Sequence, residues 1–249
     1  MLNKATIKYI QSLLQKKHRN EQGVFVAEGT VMLQEMLEDK NLEAIQVFAT
    51  KEWWSSLTPE WQEKYAPTVS LIEDFQLKQI SSRETAIGGL AIFKQKAIAL
   101  QSNYENEIVL ALADLQDPGN LGTIIRTADW FGIKNIVCSK NTVDCYNPKV
   151  VQSTMGSIGR IAVHYVDLEK WLSETTSQIF AAKLEGDDVK KTEKPKSAIL
   201  LIGNEAKGVP NSYDSLAYKS IHIEKIGASD SLNAAVAAGI LMYEFCNGG

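Results

Sequence analysis

The stretch IVLALADLQDPGNLGTIIRTA, residues 108–128, decides the fold. Its first part, Ile108–Ala113, is a continuous apolar run, which is typical of a strand buried on both faces of a parallel sheet. Helical spacing then predicts a helix with a buried face formed by Leu121, Ile124, Ile125 and Ala128. Arg126 lies on the other face with Thr123 and Trp130, where it is placed to meet an anion at the carboxyl edge of the sheet. A strand, a turn and a helix with an ordinary surface arginine would give the same pattern.

Similar runs continue through the second half of the chain. Short apolar segments separated by helical segments predict further parallel strands at Asn135–Cys138, Ile179–Ala182 and Ala198–Ile202. A last helix begins near Ser231, which is its expected N-cap, and it is apolar on all sides. Such a helix is buried, either inside its own domain or against a second subunit. The sequence from residue 108 onward therefore predicts an α/β domain with a parallel sheet.

The first 93 residues mix short helices and strands, which predicts a smaller α/β domain. The predicted helices are residues 5–17, Val31–Leu37 and Trp53–Tyr65, the last one interrupted at Thr58-Pro59, and the predicted strands are Gly23–Gly29, Ala44–Ala49 and Gly88–Phe93. We interpret Trp53, Trp54 and Trp61 as core residues rather than as stacking platforms for bases. Residues 94–107 are polar and mark a domain boundary. We therefore predict a first domain over residues 1–94, a linker over 95–107 and a second domain over 108–249.

Composition and charge exclude several classes of protein. With 45% apolar and 22% charged residues, the chain has the composition of an ordinary soluble globular protein. A formal net charge of −4 argues against a general polyanion binder. Residues 1–20 nevertheless carry no carboxylate and five basic residues, namely Lys4, Lys8, Lys16, Lys17 and Arg19. This basic segment suits a protein that selects nucleic acid by shape, although a solvated lysine-rich helix would look the same.

Cysteine and histidine usage predicts neither disulfides nor a metal site. The cysteines Cys138, Cys145 and Cys246 form no CxxC pair, and the histidines do not fall at ligand spacing. A reducing compartment fits this usage. No apolar run reaches the roughly 18 residues of a membrane span, and the basic N-terminus lacks the apolar core of a secretory signal. We therefore expect a cytoplasmic protein without membrane association.

Two later segments add candidate functional residues. The loop Gly203-Asn204-Glu205-Ala206-Lys207-Gly208 follows a predicted strand, and its glycines let the backbone approach a ligand closely or adopt a positive φ. The segment Ile223–Asn233 leads into the last helix, whose first N–H groups are suited to an anion. Each segment alone is also compatible with a plain turn or a helix cap.

In their order and on these elements, the three segments resemble the SpoU (TrmH-like) branch of the SPOUT RNA methyltransferases. The shared motifs are Asn-x-Gly…Arg, Gly-x-Glu-x-x-Gly and Ser-Leu-Asn, and the match covers residues 108–246. The N-terminal part is similar to the substrate-binding domain often fused to such enzymes, through its basic helix, Phe25-x-x-Glu28-Gly29 and Gly88. The resemblance implies an α/β protein in which a trefoil-knotted methyltransferase domain follows a small substrate-binding domain, although knots are rare in general.

The resemblance also implies the chemistry, which is transfer of a methyl group from S-adenosylmethionine (SAM) to a ribose 2′-hydroxyl of structured RNA. DNA lacks that hydroxyl, so the substrate is RNA, and the fused N-terminal domain favours rRNA over tRNA. The family's active-site residues correspond to Asn120, Arg126, Glu205, Ser231 and Asn233. Its SAM contacts correspond to Leu201, Ile202, Gly203, Gly208, Ile223, Ile226, Ser231 and Leu232. One departure is Glu224, which stands where the family usually has proline, so the φ restriction of proline is lost from that loop.

Partners and the role of the arginine follow from the same resemblance. It implies a homodimer through the C-terminal knot region, which would cover the apolar last helix. Lys16, Lys17 and Arg19 are the candidates for contacts to the RNA backbone. Because a guanidinium is effectively always protonated, we expect Arg126 to bind a phosphate and stabilise a developing alkoxide rather than to act as the base.

Two alternatives belong to other classes. One is a catalytically silent RNA-binding protein of the same fold, against which the intact set of polar motif residues counts. The other is a dinucleotide-dependent enzyme, which would need GxGxxG directly after the first strand. Pro118-Gly119-Asn120-Leu121-Gly122 lacks that spacing, which argues against the second alternative.

Overall fold

The computed structural model describes residues 2–101 and 103–247 and divides into two compact units. The first unit contains the residues up to Ala97 together with Tyr146–Arg160. The second unit contains Ile98–Cys145 together with the residues from Ile161 onward. These units are defined by packing alone, so the predicted three-part division of the chain stays a prediction.

A four-stranded sheet with the order β1-β4-β2-β3 forms the centre of the first unit. Its strands are β1 (Val24–Gly29), β2 (Ala44–Thr50), β3 (Val69–Ile72) and β4 (Gly89–Lys94). Strand β4 pairs antiparallel with β1 and β2, whereas β3 pairs parallel with β2. The helices are α1 (Lys4–Ser12), α2 (Lys16–Gln22), α3 (Val31–Glu38), α4 (Lys51–Ser55), α5 (Pro59–Tyr65), α6 (Asp74–Ile80) and α8 (Pro148–Thr154). The predicted α/β class of this unit is confirmed.

The basic N-terminal segment forms two helices, whereas the sequence predicted one helix over residues 5–17. The break lies between α1 and α2, where Arg19 is only 1% exposed and its Nη1 donates to the carbonyl oxygens of Leu13 (2.9 Å) and Leu14 (2.8 Å). These bonds satisfy carbonyl groups that the end of a helix leaves without partners. Arg19 is therefore a structural residue, and its predicted contact with RNA is corrected. Lys16 and Lys17 are exposed.

Glu28 and Gly88, on which the N-terminal resemblance partly rests, make close contacts at one end of the sheet. The buried carboxylate of Glu28 accepts a hydrogen bond from the backbone N–H of Ser82 (3.1 Å) and from the hydroxyls of Ser81 and Ser82. A buried charge of this kind is tolerated because it is hydrogen-bonded. Gly88 has φ +76°, and a Cβ at this position would lie 2.5 Å from the carbonyl oxygen of Gly29. Glycine is thus required where these two segments meet.

The tryptophans of the first unit pack against one another. Trp53 and Trp61 are buried, and their rings are 6.2 Å apart between centroids. Trp54 packs edge-on against Trp61 with the centroids 6.1 Å apart, and the Nε1 of Trp61 donates to Glu38 (3.1 Å). The interpretation of these residues as core residues is confirmed for Trp53 and Trp61, while Trp54 is half-buried.

A six-stranded, fully parallel sheet forms the centre of the second unit, as the sequence predicted. Its strands are β5 (Ile108–Leu112), β6 (Asn135–Ser139), β7 (Ala162–Val166), β8 (Gln178–Asp188), β9 (Ala198–Ile202) and β10 (Lys219–His222). The helices are α7 (Pro118–Trp130), α9 (Leu168–Glu174) and α10 (Ala234–Asn247). The buried runs of β5 and β9 pair with each other at the centre of the sheet, where both faces are covered.

The strand order, β10-β8-β9-β5-β6-β7, places a topological switch point beside β5. The chain runs outward from β5 to β6 and β7, crosses to β8 on the other side, and then inserts β9 between β8 and β5. Ligands of open parallel sheets bind at the carboxyl ends of strands at such a point. Strand order does not itself report threading, so the trefoil knot stays a prediction.

None of the three cysteines, all of which lie in the described residues, forms a disulfide. No helix in this part of the chain is long and apolar enough to cross a membrane. The thiols of Cys138 and Cys145 are buried, and that of Cys246 is exposed. Burial raises the pKa of the Cys138 thiol well above its ordinary value, so this thiol is an unreactive core group.

Candidate active site at the carboxyl edge of the parallel sheet

The loops after β5 and β9 meet at the switch point. Helix α7 begins directly after the first loop, and Asp117 is its N-cap, with Oδ1 accepting a hydrogen bond from the backbone N–H of Asn120 (2.7 Å). Pro118 occupies the first helical position, where a missing N–H costs nothing and the fixed φ suits the helix. The sequence thus fixes Asn120 in the first turn of α7, at the edge of the sheet.

Asn120 joins three segments that are distant in sequence. It is only 9% exposed, its Nδ2 donates to Oε1 of Glu205 (3.1 Å), and its Oδ1 accepts from Nδ2 of Asn233 (2.9 Å). A carboxylate only accepts hydrogen bonds, so the Asn120 amide must turn its nitrogen toward Glu205 and its oxygen toward Asn233. Three of the five predicted active-site residues are therefore brought into direct contact. We call them the polar triad.

The carboxylate of Glu205 is held by backbone groups as well. The N–H groups of Asp117 and Gln116 donate to it at 3.2 and 3.4 Å. Partial burial acts to raise the pKa of Glu205, but the hydrogen bonds from Asn120 and from the backbone outweigh it and hold the pKa below its ordinary value of 4.5. Hydrogen bonds to the charged form have this effect. Glu205 is therefore an anionic anchor for the loop and a weak base at neutral pH.

Glu205→Gln is expected to destabilise the protein at pH 7 and to lose that effect in acid. The folded pKa lies below the ordinary value, so the stabilisation is present above about pH 4.5 and is lost as the pH falls through the folded pKa. Chemical denaturation of both proteins at pH 7 and below pH 4 measures the difference in unfolding free energy. Glu63→Gln is the control, because exposed Glu63 makes no hydrogen bond with the described residues. A difference that stays constant with pH would contradict the prediction.

The start of the last helix corrects one prediction. Helix α10 begins at Ala234, and the Oδ1 of Asn233 accepts hydrogen bonds from the N–H groups of Ala235 (2.9 Å) and Val236 (3.3 Å). Asn233, not Ser231, is therefore the N-cap, and its side chain caps the helix through its oxygen while its nitrogen binds Asn120. Ser231 is exposed in the preceding loop, and its carbonyl accepts from the Ser229 hydroxyl (3.1 Å). The catalytic role of Ser231 stays a prediction.

Arg126 lies two turns into α7, on its exposed face. Within residues 2–101 and 103–247 it makes no hydrogen bond or ion pair, so its guanidinium is not part of the polar triad. Thr123 and Trp130 share this face, and Trp130 is 83% exposed. A guanidinium with no internal partner keeps its planar set of donors for an external anion.

The loop after β9 is closed by its own backbone. The N–H of Asn204 donates to the carbonyl of Gly208 (3.1 Å), and the reverse bond is 2.8 Å. A Cβ on Gly203 would lie 2.0 Å from the carbonyl carbon of Gly208, and Gly208 has φ +67°. The space that the first glycine leaves open is therefore filled by the loop itself, which makes both glycines necessary for its shape. Leu201 and Ile202, which are predicted to contact SAM, are the last two residues of β9 before this loop, and both are buried.

A bulge of β8, which the sequence analysis missed, lies beside the loop after β10. Ala181 pairs with Ser220, but the next pair is Asp187 with Ile221, so residues 182–186 have no partner in β10. Gly186 has φ +150°, and a Cβ there would lie 2.4 Å from the carbonyl oxygen of Ser220. A glycine inside a strand pattern often signals a bulge, so Gly186 was the sequence signal that could have revealed this one.

The bulge of β8 and the loop after β10 carry exposed apolar side chains. Leu184 in the bulge and Leu232 near the start of α10 are both exposed, and Ile226 is 95% exposed. Ile223 is half-buried at the end of β10. Exposed apolar side chains next to loop amides suit SAM, whose adenine ring is apolar on its faces and polar at its edge. The residues present therefore fit that cofactor.

Two family models match the chain. Residues 107–243 match the model of the SpoU rRNA Methylase family, and residues 4–91 match the MRM3-like substrate binding domain. The chain is 28% identical over 243 residues to the 23S rRNA (guanosine(2553)-2'-O)-methyltransferase RlmP of Bacillus subtilis, which covers 95% of this chain and 94% of that protein. It is 33% identical over 137 residues to a 23S rRNA (uridine(2479)-2'-O)-methyltransferase of Streptomyces viridochromogenes, which covers 51% of this chain and 48% of that protein.

A solved structure extends the likeness to the whole chain. The AdoMet-bound rRNA methyltransferase of Sinorhizobium meliloti superposes with a TM-score of 0.87 at 30% identity. The match covers 100% of this chain and 96% of that one. Both the sheet with its switch point and the N-terminal unit therefore have counterparts in one protein.

Proposed function

This chain belongs to the SpoU rRNA methylase family, and from that premise we propose that it transfers the methyl group of SAM to a ribose 2′-hydroxyl of structured RNA, rRNA rather than tRNA. The observation that carries the proposal is the polar triad at the carboxyl edge of the sheet, next to the exposed Arg126 of α7, which has no partner among residues 2–101 and 103–247. The relatives named for 23S rRNA support ribosomal RNA as the substrate class.

SAM, when bound, supplies a methyl carbon activated by its sulfonium. We assign its binding to the loops after β9 and β10 and to the strand residues that lead into them. The assigned residues are Leu201, Ile202, Gly203, Gly208, Ile223, Ile226, Ser231 and Leu232. The enzyme's main task is then to align a ribose oxygen with that carbon, and alignment of this kind contributes roughly 7–11 kcal/mol to a reaction.

The side chains divide this task between them. Arg126 binds a phosphate next to the target ribose and stabilises negative charge on the 2′-oxygen as the hydroxyl proton passes to solvent water. Glu205 is a positioning residue, because its lowered pKa makes it a poor proton acceptor while its carboxylate fixes the loop after β9. Asn120 and Asn233 hold the start of α7 against the start of α10. Ser231 is assigned to orienting the ribose hydroxyl.

The experiment that tests the function begins with calorimetry of SAM binding to the purified protein. Transfer of radiolabelled methyl groups to bulk RNA follows, together with mapping of 2′-O-methyl sites in total RNA with and without the gene. We expect SAM binding and one or a few rRNA sites that depend on the gene. RNA binding without methyl transfer would favour a catalytically silent RNA-binding protein of the same fold and would overturn the proposal.

The protein is also proposed to act as a homodimer through the C-terminal knot region, with the last helix α10 and its neighbour α7 at the interface. These helices pack together, with the rings of Phe131 and Tyr243 6.2 Å apart between centroids. They nevertheless leave Trp130, Val236 and Tyr243 exposed. Neighbouring exposed apolar side chains of this size mark an interface. Arg126 lies one turn from Trp130, so a partner that covers this patch would lie beside Arg126 as well.

Val236→Asp is expected to convert the dimer into a folded monomer. Val236 is the third residue of α10, and an aspartate there faces the positive end of the helix dipole, so the helix itself is not weakened. Sedimentation analysis measures the oligomeric state. Phe75→Asp is the matched control, because Phe75 is an exposed apolar side chain in the first turn of α6 in the other unit. A wild-type monomer, or an unchanged dimer in the variant, would contradict the proposed interface.

RNA binding by the first unit is assigned to its basic N-terminal helices. Lys16 and Lys17 are exposed at the start of α2, and Lys4 and Lys8 are exposed on α1. Lysines of this kind contact phosphates without reading sequence. The proposed localisation is the cytoplasm, where ribosomal RNA is accessible to the enzyme.

A further inference from the structure

A polar cavity of about 440 Å³ opens beside the polar triad. It lies at the carboxyl ends of β5, β6 and β9, all within the second unit. Its lining consists of Asp114, Gln116, Asn141, Asn204, Lys207, Gly208 and Pro210. The volume is within the range of small-ligand sites, but the walls are amides and charges rather than apolar side chains.

One residue of the cavity lining, Asp114, has an uncommon backbone conformation. Asp114 has φ +57°, which is rare for a residue other than glycine. Ser139 holds it from one side, since its hydroxyl accepts from the N–H of Asp114 (2.9 Å) and donates to Oδ1 (2.6 Å). Asn204 holds it from the other side, with Nδ2 donating to the carbonyl of Asp114 (2.8 Å). Such backbone conformations persist where the surroundings fix them, and they are frequent at binding sites.

Several polar groups of the lining are left for a ligand. The Nε2 of Gln116 donates to the carbonyls of Asn141 (2.6 Å) and Asp114 (3.3 Å), which leaves its Oε1 as an acceptor. The side-chain amide of Asn141 and the ammonium of Lys207 have no hydrogen-bond partner in the described part of the chain. The cavity therefore offers both donors and acceptors, together with the ammonium of Lys207 and the carboxylate of Asp114. This combination matches the edge of a nucleobase and an adjacent phosphate.

The cavity and the polar triad are built from the same two loops. Gln116 lines the cavity with its side chain, while its backbone N–H donates to Glu205 (3.4 Å). The loop after β9 likewise contributes Asn204 and Lys207 to the cavity and Glu205 to the polar triad. A nucleotide whose ribose lies at the polar triad has its own base within reach of the cavity.

We propose that this cavity binds the base of the methylated nucleotide and that Asn141 and Gln116 select which base is accepted. The proposal rests on the proposed RNA 2′-O-methyltransferase function. Unpaired RNA bases are recognised through hydrogen bonds to their edges. The amide of Asn141 offers a donor and an acceptor side by side, and Gln116 adds the acceptor Oε1. Lys207 binds the phosphate attached to that nucleotide.

The test uses the full-length enzyme and four transcripts of the rRNA segment that the wild type methylates, which differ only in the base at the methylated position. Values of kcat/KM are measured for the wild type, Asn141→Ala and Asn141→Asp. Gln116 donates to the backbone carbonyl of Asn141, so both variants keep that hydrogen bond. Lys140→Ala is the matched control, because exposed Lys140 is the neighbouring residue and does not line the cavity. Calorimetry with SAM is run on every protein.

We expect the wild type to prefer one base and Asn141→Ala to reduce that preference by about tenfold, since one base-edge contact discriminates by roughly this factor. Asn141→Asp, which replaces donors by acceptors, should change which base is preferred. SAM affinity should be unchanged in every variant. The Lys140→Ala enzyme should keep the kcat/KM values and the base preference of the wild type. An unaltered base preference in both Asn141 variants, equal use of all four bases by the wild type, or weakened SAM binding as the main effect would overturn the proposal. A wild type that methylates no RNA would instead refute the underlying function.

Discussion

Arg126→Lys is expected to lower methyl transfer to RNA by about 100-fold while SAM binding stays unchanged. Lysine keeps the positive charge, but all its hydrogen-bond donors are on one nitrogen. A guanidinium instead binds a phosphate through two parallel hydrogen bonds from two nitrogens. Arg126 is exposed and has no internal partner within the described residues, so the replacement should not disturb the fold. Its whole effect should therefore appear in catalysis.

The measurement is single-turnover methyl transfer to the rRNA substrate, with SAM affinity determined by calorimetry. Lys134→Ala is the control for loss of a surface cation, because Lys134 is exposed in the same unit and lies beyond the end of α7. We expect the control to keep normal activity. Near-normal transfer by Arg126→Lys would mean that charge alone suffices, and the assigned phosphate contact would have to be abandoned.

Asn120→Asp should both destabilise the second unit and abolish methyl transfer. The new carboxylate would face Glu205 across 3.1 Å, where the amide now donates a hydrogen bond. Asn120 is only 9% exposed, so loss of its donor costs about 1–3 kcal/mol, and repulsion between like charges adds to it. For a protein of this size we expect the melting temperature to fall by roughly 5 °C or more.

Asn135→Asp provides a matched control for this change. The Nδ2 of Asn135 donates to Oε2 of Glu107 at 3.0 Å. The control therefore also places an aspartate next to a glutamate, but at the opposite edge of the sheet. We expect it to retain methyl transfer at a temperature where it remains folded. Loss of transfer in both variants would show that the polar triad has no special role beyond stability.

The central strands were predictable from the sequence, whereas three of the four edge strands were not, β1 being the exception. Strands β5 and β9 are continuous apolar runs because both of their faces are covered, and the apolar pattern reveals them directly. The missed strands β3, β7 and β10 are all at the edges of their sheets. An edge strand such as Lys219–His222 tolerates polar residues, so its composition does not separate it from a loop.

The active site was predictable only in part. Residues matched through the family motifs included Asn120, Glu205 and Asn233, and the structure brings these three into contact. Capping rules favoured Ser231, but Asn233 caps α10 because its amide serves the helix and Asn120 at once. Arg19 was assigned to RNA from its charge, whereas its burial depends on carbonyl groups that no sequence pattern shows.

The segment Tyr146–Arg160 lies in sequence between β6 and β7 but packs with the first unit. The polypeptide therefore passes from one unit to the other three times, and no single cut yields two intact halves. A fragment ending at Ala97 would lack α8, which packs on β1 in the whole protein. Dissection of the enzyme, whether by protease or by gene truncation, would need a graft of residues 146–160 onto the amino-terminal piece and a short bridge across the gap left in the remainder.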